Sequence, residues 1–137
     1  MKVKKRYISW EEVEILVNIL YDNILESGEK FNTIKGLPRG GLIPAVMLSH
    51  KLGISYASNE LTLHQRNALV VDDICDSGKT LKTIQFPTAV LHYKPHTSII
   101  EPTFYACKFE SDDWIVYPWE NKDSKTIQDY KTKVGIQ

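Results

Sequence analysis

The chain reads as an α/β protein, with a mostly parallel twisted sheet flanked by helices. Three observations lead there. Helical and extended patterns alternate along the chain from Ser9 to Tyr93. The apolar run Ala68-Leu69-Val70-Val71 reads as a buried strand. That run ends on an acidic pair, Asp72-Asp73, and a small-residue turn, at the carboxyl edge where open α/β sheets bind ligands.

The elements follow in order. Ser9 is an N-cap candidate with Glu11 and Glu12 in the first turn behind it, and Val13, Leu16, Val17, Leu20 and Ile24 recur at helical spacing up to Ser27-Gly28. An amphipathic helix packing on the sheet is predicted. Phe31 to Leu37 reads as the first strand, Leu42 to Leu52 as a second helix stopped by Gly53, and Ile54 to Ala57 as a short strand. Ala68 to Asp72 is the central strand, Thr80 to Gln85 a helix ended before Pro87, and Thr88 to Tyr93 a further strand. Phe104 to Cys107 and Trp114 to Tyr117 are the last extended pieces. The lysine-bearing tail from Asn121 to Gln137 has the weakest pattern, and no internal repeat is visible.

At 137 residues, the expectation is a single domain spanning residues 1–137. Lys plus Arg equal Asp plus Glu at 17 each, and neither sign forms a block, so a nucleic-acid or anionic-membrane surface is not indicated. No apolar run is long enough to span a membrane, and Met1 to Arg6 is followed by acidic residues in place of a signal-peptide core. A soluble, cytoplasmic protein is expected. Cys75 and Cys107 lack metal-ligand spacing and are expected to be free thiols. No pair of His50, His64, His92 and His96 has metal-site spacing either.

Three segments carry chemistry. Asp76-Ser77-Gly78-Lys79-Thr80 offers hydroxyls, a glycine and unpaired N–H groups before a helical run, which makes an anion cradle. Gly78-Lys79-Thr80 also matches the end of a Walker A motif, but that motif needs a glycine where Asp73 stands, and a carboxylate there would repel a triphosphate. Gly36 to Pro44, between the first strand and second helix, brings glycine amides and the Arg39 guanidinium to a second anion site; alone, it is equally an ordinary glycine-rich turn. Lys94 at a strand end and Trp114 twenty positions later suit a flat heterocycle, the ammonium to an exocyclic oxygen and the indole on the ring face. A surface lysine and a core or interface aromatic are the plainer alternatives.

Val70 to Thr80 resembles the phosphoribosyl-pyrophosphate (PRPP) loop of type I phosphoribosyltransferases, with every fixed position filled: two apolar residues, two acids, three variable positions, Ser or Thr, Gly, any residue, Thr. Gly36 to Pro44 resembles the pyrophosphate loop of the same family. Lys94-Pro95 with Trp114-Ile115, two residues, Pro118-Trp119 and an acid resembles the base-binding hood of xanthine-guanine and hypoxanthine phosphoribosyltransferases. Tyr7 to Trp10 is similar to the opening of the bacterial xanthine-guanine enzyme.

The resemblance implies the type I phosphoribosyltransferase fold, with a small hood of C-terminal strands at about residues 94–120. It implies transfer of the 5-phosphoribosyl group from PRPP to a 6-oxopurine in purine salvage, with Mg²⁺ as cofactor. PRPP would be held by Asp72, Asp73, Cys75, Asp76, Ser77, Gly78, Lys79 and Thr80, with the 5′-phosphate over Asp76 to Thr80. Asp73 would hold the metal. Asp76 is the candidate for proton transfer at the base. Pyrophosphate would meet Arg39, Gly40, Gly41 and, from the next loop, Arg66. Lys94, Trp114 and Ile115 would bind the purine. The family's non-proline cis peptide would fall at Pro38–Arg39. The covering loop, Ser58 to Asn67, is shorter than usual, which opens the alternative of a catalytically weak PRPP- or nucleotide-binding regulator. A homodimer or homotetramer is implied as well, with Trp10, Trp119 and Tyr130 as interface or core aromatics.

Overall fold

The computed structural model of the protein describes residues 3–57 and 66–121. The expected tail beyond Asn121, and all of the Ser58 to Asn67 loop except Arg66 and Asn67, therefore lie outside the described residues. Strand β1 (Lys5–Tyr7) leads into helix α1 (Trp10–Ser27). Ser9 caps that helix in a capping box: its hydroxyl accepts from the Glu12 N–H and the Glu12 carboxylate accepts from the Ser9 N–H, both at 3.1 Å. Gly28 ends it in the left-handed conformation, φ 80°. Strand β2 (Thr33–Gly36) follows, then helix α2 (Leu42–Leu52), closed by Gly53 at φ 67°, and strand β3 (Ser55–Tyr56). Pro44 is tolerated in the first turn of α2 because no intrahelical donor is needed there.

Strand β4 (Ala68–Cys75), helix α3 (Lys79–Lys82) and strands β5 (Thr88–Tyr93), β6 (Phe104–Lys108) and β7 (Trp114–Val116) complete the described elements. The main sheet has five parallel strands in the order β3-β2-β4-β5-β6. The chain winds to one side of β2 through α2 and to the other side from β4 onward. The reversal of direction therefore lies between β2 and β4, where sheets of this class bind ligands.

One face of the sheet carries the larger core. Val13, Val17, Leu20 and Ile24 of α1 and Ala45 and Leu48 of α2 pack over Ile34, Leu69, Val71, Ala89 and Leu91. Alternate strand residues face the other side, where Val90, Cys75 and Leu81 cluster with partly buried Leu37 and Ile100. No helix among the described residues is long and apolar enough to cross a membrane.

Most strand ends shift by a residue or two from the sequence pattern, and three departures bear on the site. β4 runs on to Cys75 because Ile74 and Cys75 still pair with His92 and Tyr93 of β5, so the acid pair lies inside the strand instead of at its end. α3 is a single turn, stopped where Thr83 turns its hydroxyl back on the Thr80 carbonyl at 2.7 Å. The small second sheet pairs C-terminal β7 with β1, in register Lys5↔Trp114 to Tyr7↔Val116. A three-residue strand of Lys, Arg and Tyr has no hydrophobic alternation to show it.

Leu20 is fully buried between α1 and the sheet. Leu20→Ala should lower unfolding free energy by about 2–5 kcal/mol, read as a shift in the urea midpoint with little change in slope.

Candidate active site

The site begins where β2 stops and β4 continues. The last register pair of β2 and β4 is Gly36↔Val71, and the Leu37 N–H donates to the Val71 carbonyl at 2.8 Å. Asp72 and Asp73 lie one and two residues further along β4, beyond the end of β2, and both are half-buried. The loop leaving β2 folds back over this exposed edge. Gly40 lies so close to Asp73 that a Cβ would collide with its carboxylate, and a Cβ on Gly41 would collide with the Val71 carbonyl. The Pro38–Arg39 peptide is cis, at the position the resemblance indicates. Arg39, next to Gly40 in that loop, is exposed. The Gly41 N–H is committed to the Leu37 carbonyl at 2.8 Å. Gly41 therefore serves close packing in this conformation, and of the two glycine amides only that of Gly40 is without such a bond.

The turn after β4 forms the second wall. Gly78 is left-handed at φ 80°, and a Cβ on it would strike Ser98. The buried Ser77 hydroxyl accepts from the Lys79 N–H at 3.2 Å. Lys79 and Thr80 are exposed. Cys75 is buried, with its sulfur 3.2 Å from the Ser98 hydroxyl. Ser98 donates its own proton to the Ile100 carbonyl at 2.7 Å.

Asp76 lines a cavity of about 200 Å³ together with Asp73, Lys94, Trp114, Ile115, Tyr117 and Glu120. Residues more than forty positions apart in sequence thus meet in one pocket. Lys94 is 4% exposed, with Nζ donating to the Asp113 carbonyl at 2.9 Å and lying 5.8 Å from the Phe109 ring centre. It is no solvated surface lysine. An ammonium has three protons, so two are left for other acceptors in the pocket. Asp76 Oδ1 accepts from the Thr97 hydroxyl at 2.8 Å.

Tyr117, Glu120 and Thr97 are the additions that the structure makes. The first two lie inside the Trp-Ile-x-x-Pro-Trp-acid run; nothing in the sequence marks Thr97. Burial and the nearby Asp73 carboxylate push the Glu120 carboxyl above its usual range, against the opposing Tyr117 N–H and Arg39 charge. Arg66, the first residue described after the loop, is exposed. Trp10 and Trp119 face each other within the chain, ring centres 5.9 Å apart, while Tyr130 lies outside the described residues. Neither Cys75 nor Cys107 is in a disulfide.

A scan against models of known protein families gives no match. The xanthine-guanine phosphoribosyltransferase of Gluconobacter oxydans (strain 621H) is 28% identical over 140 residues, spanning 82% of this chain and 83% of the relative. Among solved structures, a purine phosphoribosyltransferase from Pyrococcus horikoshii Ot3 superposes with a TM-score of 0.73 at 30% identity, covering 88% of this chain and 97% of that one. The chain belongs to the type I phosphoribosyltransferase family. A Helicobacter pylori xanthine-guanine-hypoxanthine phosphoribosyltransferase has the same fold, with a TM-score of 0.71 at 18% identity over 85% of this chain and 93% of that one. Within the phosphoribosyltransferase fold, β2 and β4 of this chain carry the two loops described above, and β7 closes the pocket from the small sheet.

His92, on β5 behind the pocket, has its pKa lowered to about 4, chiefly by burial and then by the Arg6 charge, with Glu12 opposing and Lys94 adding. A histidine whose folded pKa lies below its unfolded value of about 6.5 stabilises the fold above that value, and the contribution is lost as pH falls from about 6.5 to about 4. The loss should be about 3 kcal/mol relative to a His92→Asn variant, which has no imidazole to protonate. Urea titrations of both proteins from pH 7 to pH 4 measure it; parallel stability curves would refute the assignment.

Proposed function

We propose that the protein transfers the 5-phosphoribosyl group from PRPP to a 6-oxopurine (hypoxanthine, guanine or xanthine), forming a nucleoside monophosphate and pyrophosphate in purine salvage. The observation that carries this reading is the shared pocket of Lys94, Trp114 and Asp76 beside Asp73. A buried ammonium donates and cannot accept, so it favours a purine with oxygen at C6 and disfavours adenine. Trp114 offers an indole face for the ring.

The purine ring nitrogen attacks C1 of PRPP as the bond from C1 to the pyrophosphate oxygen breaks, and positive charge develops on the sugar. Asp76 takes the proton that the purine sheds as its nitrogen becomes bonded to carbon. Asp72 and Asp73 bind the ribose hydroxyls. Arg39 and the Gly40 amide receive the charge of the departing pyrophosphate. The turn from Asp76 to Thr80 takes the 5′-phosphate through its amides and hydroxyls. Arg66 is a further candidate for the pyrophosphate.

Among the described residues, no three His, Cys, Asp or Glu side chains cluster as a metal cage. Magnesium bound by one or two carboxylates and by substrate phosphates needs no such cage, and the pair Asp72-Asp73 fits that mode, with Asp73 to hold the metal directly or through water. Bound there, Mg²⁺ supplies positive charge against the pyrophosphate.

The test mixes protein, Mg²⁺ and PRPP with hypoxanthine, guanine, xanthine, adenine or orotate and follows pyrophosphate release. Release is expected with at least one 6-oxopurine and not with adenine or orotate. Clear PRPP binding without release for any base would instead mark a regulatory binder of the same fold. In an active protein, Asp76→Asn should lower kcat by about 10²–10⁴-fold with little change in PRPP affinity. Trp114→Ala should raise the purine KM, and unchanged purine kinetics would remove Trp114 from the site.

A further inference from the structure

Tyr117 and His92 are buried, at 2% and 3% exposure, and the proposed transfer uses neither. The Tyr117 hydroxyl donates to the Asp73 backbone carbonyl at 3.1 Å and lies 2.7 Å from His92 Nδ1. A carbonyl only accepts, so the single phenolic proton goes to Asp73 and the phenol oxygen accepts from His92. His92 therefore carries its proton on Nδ1. The imidazole stands edge-on to Phe109, ring centres 5.7 Å apart, and this contact helps to fix its plane.

The location of this chain of bonds matters. Alternate carbonyls of a strand face the same neighbour, and on β4 the Val71 carbonyl takes the last N–H from the β2 side. The Asp73 carbonyl is the next along that edge, past the end of β2, and the Tyr117 hydroxyl stands in for the missing strand. The Tyr117 ring also walls the pocket next to Trp114 and Ile115, and stacks on Trp119 at 4.9 Å and 4°. One side chain therefore touches both the wall of the base pocket and the backbone of the acid assigned to ribose and metal.

We propose that Tyr117, oriented by His92, is a positioning residue for the PRPP site, fixing from the wall of the base pocket the backbone under the Asp73 carboxylate. This rests on the proposed function for the identity of the two ligands.

Two measurements test it. In protein labelled with ¹⁵N-histidine, two-bond ¹H–¹⁵N correlations should show His92 protonated on Nδ1 in the wild type. Y117F should lose that signature. In kinetics, Y117F keeps the ring and its stacking, so the purine KM should stay near wild type while the KM for PRPP rises about tenfold, the scale of one lost buried hydrogen bond. H92L should behave like Y117F. H92N, which keeps a donor near the Nδ1 position, should restore the wild-type PRPP KM. An Nε2-protonated His92 in the wild type, an unchanged PRPP KM in Y117F, or a uniform fall in kcat alone would each overturn the inference. If the wild type turns over no purine, the proposed function falls separately. The labelled His92 then decides the inference, since its resonances must shift on addition of PRPP, and their constancy would overturn it.

Discussion

The unequal lengths of β2 and β4 are the constraint on which the site depends. β2 ends at Gly36, opposite Val71, while β4 continues to Cys75, paired over that stretch with β5. The uncovered edge must be satisfied, because buried backbone groups without partners are costly. Leu37 donates to the first free carbonyl and Tyr117 to the next. The loop between β2 and α2 then has to lie directly on the acid pair, which leaves no room for a side chain at Gly40 or Gly41. The same loop carries Arg39, whose charge acts on the Glu120 carboxyl of the pocket. The pattern of mixed charge suits a ligand that presents both hydroxyls and phosphates.

The acceptor side is tied to the same frame. The Lys94 N–H donates to the Cys75 carbonyl at 3.0 Å, so the backbone of the pocket lysine continues the β4–β5 ladder. The segment after it returns to support the anion cradle: the Ile99 N–H donates to the Ser77 carbonyl at 2.9 Å, Ser98 packs on Gly78, and Thr97 holds Asp76. The distance between Lys94 and the cradle is therefore set by direct hydrogen bonds instead of by a flexible connection. A reaction whose two substrates must meet end to end benefits from that, because positioning lowers the barrier only when both halves are held in one geometry.

Local signals were legible in the sequence and tertiary ones were not. The capping box at Ser9, the glycine stops at Gly28 and Gly53, and the bounds of α2 and β5 are written in neighbouring residues, and the structure reproduces them. The Val70 to Thr80 motif is contiguous, so it stands out in the sequence as well. The extension of β4 to Cys75 was hidden because it depends on pairing with β5, and the charged segment Lys5–Tyr7 becomes a strand only because β7 lies beside it. Cys75 sits within the motif yet turns its sulfur inward, since its neighbours in space are Ser98 and the smaller core cluster. Thr97 and His92 reach the site through contacts made across 21 and 25 positions of sequence, a span no local pattern reports.

The charge distribution of the pocket suggests why so many acids are gathered there. Asp73, Asp76 and Glu120 line one cavity with a single lysine, and the raised Glu120 pKa records burial together with repulsion from Asp73. Acids crowded into a partly buried site cost stability in the unliganded protein. That cost is relieved by positive charge, and the proposed reaction develops positive charge on the ribose ring between the two ends of the crevice. Interactions that strengthen as the sugar becomes cationic favour the transition state over the ground state, which is the condition for faster turnover and not merely tighter binding. A neutral pocket of the same shape would bind a purine as well. It would do less to help break the bond to pyrophosphate.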